Sequence, residues 1–89
     1  MSEIVMPGSI VAFRQSNSWF LVRTRGPGTN SNLGAVNSRN FFLVVAVMST
    51  VAVKYGSEKR LDILVIVNDG RMGWLNGVAE RFLKVLHTP

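Results

Sequence analysis

The sequence predicts an all-β domain of five to six short strands, and three observations carry that expectation. Val and Phe dominate the most apolar run, Phe41 to Val53; such side chains crowd a helix but pack well on a pleated surface. Asp69-Gly70 stands between two apolar segments, where it supplies the positive backbone angles of a tight hairpin turn. Apolar residues recurring at the 3.6-residue helical period are almost absent.

In chain order, the first strand is expected over Ser9 to Arg14 and the second over Trp19 to Thr24. Between them Gln15-Ser16-Asn17-Ser18 is a polar tetrapeptide of the kind that closes a hairpin, which sets Val11 and Phe13 against Phe20 and Val22. Arg25 to Asn40 holds three glycines, one proline and four asparagines, with only Leu33, Ala35 and Val36 as apolar anchors. It reads as a long loop, and loops beyond about 12 to 15 residues are often functional. Phe41 to Val47 reads as a buried strand, with a bend at Ser49-Thr50.

Leu61 to Val67 and Arg71 to Leu75 are the arms of the Asp-Gly hairpin. With Asp69 and Gly70 as its two loop residues, Val67 opposes Met72, Ile66 opposes Gly73 and Val65 opposes Trp74. Gly73 then leaves room beside Ile66 for a close neighbour. Asn76 is a good N-cap and Val78 and Phe82 lie four residues apart, so one short helical turn is expected near 77 to 82. Leu83 to Leu86 returns as the last strand. The expected core is Ile10 or Val11, Phe13, Phe20, Val22, Val44, Ala46, Ile63, Val65, Trp74, Val78, Phe82 and Val85.

Eighty-nine residues support one domain, taken as 1–89 with the loop at 25–40, and a chain of this size buries around 60 to 70% of its unfolded surface. Hydrophobic residues make up 47% and charged residues 17%, a balance that excludes disordered and collagen-like chains. The chain has no cysteine, so disulfides, thiolate metal sites and thiol nucleophiles drop out. No basic stretch followed by an apolar one opens the sequence, and Ser2 stands where myristoylation needs glycine. The 13 residues of Phe41 to Val53 fall short of the roughly 20 that span a membrane as a helix. A cytoplasmic protein with no membrane partner is expected.

The carboxyl-terminal third carries a resemblance. Asp69-Gly70-Arg71-Met72-Gly73-Trp74-Leu75, followed by Phe82-Leu83-Lys84-Val85-Leu86, looks like the distal hairpin, short helical turn and closing strand of a small Src-homology-3-like barrel. Pro7-Gly8-Ser9-Ile10-Val11 is similar to the opening of such barrels and of KOW-type domains. Small phage-encoded proteins of unknown role show the same pattern at their two ends. The resemblance implies a small barrel and leaves the ligand open. The aromatic ridge and acidic loop with which eukaryotic signalling domains of this fold bind proline-rich peptides have no counterpart, because Ile10 to Arg14 reads Ile-Val-Ala-Phe-Arg and the long loop is basic and neutral.

Catalytic chemistry has little to work with. His87 stands three residues from the end, counting itself, and the nearest carboxylate in sequence is Glu80. Glu3, Glu58, Asp62, Asp69 and Glu80 do not cluster, so no metal site is expected. Asp62, alternating with Leu61 and Ile63, reads as a solvated edge position, since a half-buried strand presents one polar face. Gly26-Pro27-Gly28 lacks the Lys-Ser/Thr of a phosphate loop. Neither an enzyme nor a cofactor is expected.

The cations are a better lead. Ten Lys and Arg against five Asp and Glu give a formal +5, and seven of the ten are arginine, whose planar fork suits phosphate and aromatic stacking. In the second strand Trp19, Leu21, Arg23 and Arg25 share a face by the period-two rule. Arg14 ends the first strand near Arg23 and Arg25, and Arg39 of the long loop completes the candidate ligand-binding set. An exposed aromatic among arginines is what a single-strand nucleic-acid platform needs. Mean hydropathy is +0.24, high for so small a chain, so some of Leu33, Val36, Phe41 and Phe42 are expected in an exposed patch, which a protein partner or a homodimer would cover. The function expected first is a non-catalytic binding or structural accessory module for a protein partner. The alternative is nucleic-acid binding by the basic aromatic face.

Overall fold

The computed structural model describes residues 5–24, 31–52 and 58–89. Among them, seven strands form one antiparallel sheet: β1 (Ile10–Phe13), β2 (Trp19–Arg23), β3 (Asn32–Asn37), β4 (Phe41–Ala52), β5 (Glu58–Val67), β6 (Met72–Ala79) and β7 (Leu83–His87). The order across the sheet is β3-β2-β6-β5-β4-β1-β7. The sheet curls into an open half-barrel, and a 3-10 turn at Glu80–Phe82 separates β6 from β7.

The curl has a visible cause. Four pairings among the described residues carry a register break, in each of which one strand holds one residue more than its partner: Val45 in β4, Asn76-Gly77 against Asp62 in β6, Leu33-Gly34 against Val22 in β3, and Leu86 in β7. Each such bulge bends its strand and steepens the twist. Gly34 and Gly77 adopt φ of 97° and 69°, conformations that cost glycine little. At the β6 bulge the Gly77 N–H donates to the Asp62 carboxylate at 2.8 Å. Asp62 therefore holds a bulge on a central strand, and is not the merely solvated residue the sequence suggests.

The inward face carries the core: Val11, Phe13, Val22, Val36, Phe42, Val44, Leu61, Ile63, Val65, Val67, Leu75, Val78 and Leu83 are buried, and Phe20 packs against them. Phe13 stacks on Phe20 with ring centres 5.3 Å apart, and Phe42 meets Phe13 edge-on at 5.3 Å.

The strands number seven among the described residues where five to six were expected, and five further expectations need correction. β1 and β2 do not form a hairpin; β1 pairs with β4 and β7, while β2 pairs with β3 and β6. Phe13 and Phe20 meet through the core, and Gln15–Ser18 is a turn (Ser18 N–H to Gln15 carbonyl, 3.2 Å) that carries the chain between distant strands. The long loop is interrupted by β3, whose Val36 is fully buried opposite Phe20; tertiary pairing there overrides the poor strand propensity of Asn and Gly. Residues 25–30 of that loop lie outside the described residues. The bend in β4 falls at Val45, so the strand runs past Ser49 to Ala52 and Ala46 turns outward opposite Leu64. The helical turn near 77–82 is only the 3-10 turn, because Gly77 to Ala79 still belong to β6.

The fifth correction is the hairpin register. Val67 N–H donates to the Arg71 carbonyl at 2.7 Å, Gly70 N–H donates to the Val67 carbonyl at 2.8 Å, and Gly70 has φ of 98°. The loop is thus the three residues Asn68-Asp69-Gly70, with glycine at its left-handed position. Ile66 faces Met72, Val65 faces Gly73 and Leu64 faces Trp74. A slip of one residue exchanges the faces of a strand, so Gly73 and Leu75 point inward and Trp74, half-buried, points outward. The close neighbour of Gly73 is β2: a Cβ there would stand 2.6 Å from Val22 Cγ1 and 3.0 Å from the Arg23 carbonyl oxygen.

Candidate interaction face

Residues paired across antiparallel strands point to the same side of a sheet, so the register maps the outward face. One row runs Ile10, Leu43, Ile66, Met72 from β1 to β6. The next runs Ala46, Leu64, Trp74, Arg23 from β4 to β2. A third row runs Lys84, Ala12, Phe41 from β7 to β4. The centre of this face is apolar; Lys84 and Arg23 stand at opposite sides of it, and Asp62 and Arg60 continue the outward side of β5 beyond Leu64. Phe41, Leu43, Val45, Ile66 and Met72 are exposed there.

A pocket of about 180 Å³ opens within it, lined by Ile10, Phe41, Leu43, Ile66, Val67 and Asn68. Asn68 fixes its rim: Oδ1 accepts the Phe41 N–H at 3.3 Å and the Asn40 side-chain amide at 3.1 Å, and its own N–H donates to the Phe41 carbonyl at 2.9 Å.

Of the residues proposed from sequence, Trp19 is 64% exposed, and Leu21 and Arg23 follow it on the outward side of β2, whose Val22 is buried. That strand extends the apolar face, because Arg23 pairs with Trp74. Arg39 is exposed in the turn after β3, its N–H donating to Asn37 Oδ1 at 2.9 Å; Asn37 in turn pairs with Trp19. Arg14 follows β1, its N–H donating to the Phe82 carbonyl at 2.9 Å. With no β1–β2 hairpin, strand pairing does not set it beside Arg23. Arg25 lies outside the described residues.

Arg71 is committed to the fold. Its guanidinium grips the Asp69 carboxylate, with Nη2 to Oδ2 at 2.6 Å and Nε to Oδ2 at 2.9 Å, and Nη1 donates to the carbonyls of Leu33 and Ala35 at 3.0 and 3.2 Å. These bonds hold the Asp69 carboxyl below its ordinary value and raise Arg71 above its own. One arginine thus ties the distal hairpin to the edge strand β3.

Among the described residues no group of His, Asp or Glu is placed to hold a metal ion, and no helix is long and apolar enough to cross a membrane. No family model, curated protein or solved structure matches this chain.

Sequence reasoning missed Leu43, Leu64, Ile66 and Met72 as face residues. The signal was present: Phe41 to Met48 and Leu61 to Val67 are apolar at nearly every position, whereas a strand with one solvated face alternates. Unbroken runs of this kind mark strands whose two faces are both apolar.

Proposed function

We propose that this chain is a non-catalytic binding or structural module that docks another protein on the outward face of its sheet. The observation that carries the reading is the pair of adjacent cross-strand rows, Ile10-Leu43-Ile66-Met72 and Ala46-Leu64-Trp74, which are apolar apart from the Trp74 indole until the second reaches Arg23 on β2. Contiguous apolar surface of this kind characterises interaction sites. The succession of distal hairpin, 3-10 turn and a closing strand laid against the opening one supports a Src-homology-3-like barrel as the finer description of the fold.

The test is the double variant Leu43→Asp/Ile66→Asp. If the face is for docking, the variant melts within about 8 °C of the parent, since surface changes cost within about 0.5 kcal/mol each, and loses concentration-dependent association or partner binding. An unfolded variant would mean that the face serves the fold itself, and the reading would fail.

A second reading, single-stranded nucleic acid stacked on Trp19 beside Arg23, is favoured by the exposure of that ring on the same side as the guanidinium. Titration with a single-stranded oligonucleotide and a duplex of equal length, at low and moderate salt, separates it from plain polyanion attraction, which fades with salt and ignores strandedness.

A further inference from the structure

We propose that Asn76 is a site of spontaneous deamidation, and that Arg60 and Asp62 restrain the reaction by clamping the backbone of Gly77. Of the seven asparagines in the chain, Asn76 alone is followed by glycine. It is exposed on β6, and Gly77 holds φ of 69° in the bulge opposite Asp62. A glycine nitrogen has no neighbouring Cβ to shield it, and its backbone turns freely. It can therefore reach the carbonyl carbon of the side chain before it. The chemistry needs only water. The Gly77 nitrogen gives up its proton and attacks Asn76 Cγ: the N–Cγ bond forms, the Cγ–Nδ2 bond breaks, and Nδ2 takes up the proton and leaves as ammonia. Water then opens the cyclic imide. Addition at Cγ breaks the new bond and leaves an aspartyl residue; addition at the Asn76 backbone carbonyl carbon breaks the original peptide bond, and the chain then runs through the side chain as an isoaspartyl link.

Both polar backbone groups of Gly77 are held by side chains of β5. Its N–H donates to Asp62 Oδ1 at 2.8 Å, and its carbonyl accepts from Arg60 Nη1 at 3.0 Å. The negative charge beside the nitrogen opposes the amide anion that attack requires. The two bonds also fix the backbone that must turn to carry the nitrogen to Cγ. Attack thus waits for the bulge to open, and its rate follows the open population. The product matters for the sheet. Asn76 follows Trp74 by two residues on the outward side of β6, and Asp62 lies on the outward side of β5 opposite it. A carboxylate at position 76 therefore faces that of Asp62, and like charges set opposite each other destabilise a strand pair. Deamidation loosens a bulge that curls the sheet and puts negative charge at the margin of the apolar face.

The full chain is incubated at physiological temperature and mildly alkaline pH, and aspartyl and isoaspartyl products at position 76 are measured by mass spectrometry of the digested protein. Asp69-Gly70 is the internal reference. Its ring closes by the same attack with water as the leaving group, and its Gly70 N–H donates to the Val67 carbonyl, outside the clamp. In denaturant, position 76 is expected to convert faster than any other asparagine. In the folded chain Asp62→Ala should raise the rate at position 76 about tenfold or more, the effect of losing a hydrogen bond to a charged acceptor. Asp62→Asn, which keeps an acceptor for the Gly77 N–H, should fall between the parent and the alanine variant while the rate at Asp69 stays constant. Should the alanine variant unfold, Asp62→Asn alone carries the comparison. Equal rates at position 76 in the parent and the folded variants would overturn the clamp, as would an acceleration shared equally with Asp69, which reports global opening. Conversion in denaturant no faster than at the other asparagines would overturn the site itself.

Discussion

On the inward face of the sheet Val11, Phe42, Val44, Ile63, Val65 and Leu75 are each at most 1% exposed, while on the outward face Phe41, Leu43, Val45, Ile66 and Met72 are between 37% and 50% exposed. The residue types are the same, and the two sets alternate along the same strands. What differs is geometry: the bulges curl the sheet so that one face closes on itself and the other opens. Composition alone cannot assign a valine in β4 to the core or to the surface; register can. The comparison therefore predicts large folding effects on one face and small ones on the other.

The largest effect is expected for Phe42→Ala. Its ring is fully buried against Phe13, and emptying such a site costs about 3 to 5 kcal/mol through lost burial and the cavity left behind. Urea unfolding would measure it, and a cost below about 1 kcal/mol would remove the distinction between the two faces.

Gly73→Ala comes next, at about 2 kcal/mol. The added methyl meets Val22 Cγ1 at 2.6 Å and the Arg23 carbonyl at 3.0 Å, and the backbone atom cannot rotate away. Gly70→Ala is the control, since no atom lies within 4 Å of its Cβ position but φ is 98°; it strains the turn alone and costs about 1 kcal/mol. Equal costs would mean that the approach of β2 to β6 does not constrain Gly73.

How far these contrasts were legible in the sequence depends on the kind of interaction that decides each element. Phe41, Leu61 and Trp19 each open a strand or lie within one as local propensity predicts. β3 was not legible, because Asn32 to Asn37 has little strand propensity and is held by its pairing with β2 and by Arg71 from a hairpin 38 residues away. The Asp-Gly pair located the hairpin but not its length; whether Asn68 belongs to the strand or the loop rests on two backbone hydrogen bonds, and that one residue decides which side Trp74 takes. For the same reason the candidate site was half legible. Trp19 and Arg23 were found by alternation within one strand, whereas Leu43, Ile66 and Met72 join them only through registers across four strands.

A smaller, pH-dependent effect is expected at Asp69. Its carboxyl titrates below the ordinary 3.8 in the folded chain because it accepts hydrogen bonds from Arg71. A depressed folded value means that the contribution to stability is complete above the unfolded value and is lost as pH falls through the folded one. The parent should therefore exceed Asp69→Asn in stability at pH 7, and the difference should shrink below pH 3.8. A difference that stays constant from pH 7 down to about pH 2 would assign the effect to turn geometry instead of charge.

The smallest folding effect is expected for Trp19→Ala, within about 0.5 kcal/mol, because a ring 64% exposed loses little burial. Trp74→Ala is the sharper half of the pair. In a two-residue turn Trp74 would oppose Val65 and fill the core, and its removal would cost as much as that of Phe42. In the observed register it opposes Leu64 on the outward side, half-buried, so its cost should fall between those of Trp19 and Phe42, at about 1 to 2 kcal/mol by the area lost. Loss of partner binding in Trp74→Ala without collapse of the fold would place that indole in the docking surface, whereas a loss equal to Phe42→Ala would return it to the core and shift the outward rows by one residue.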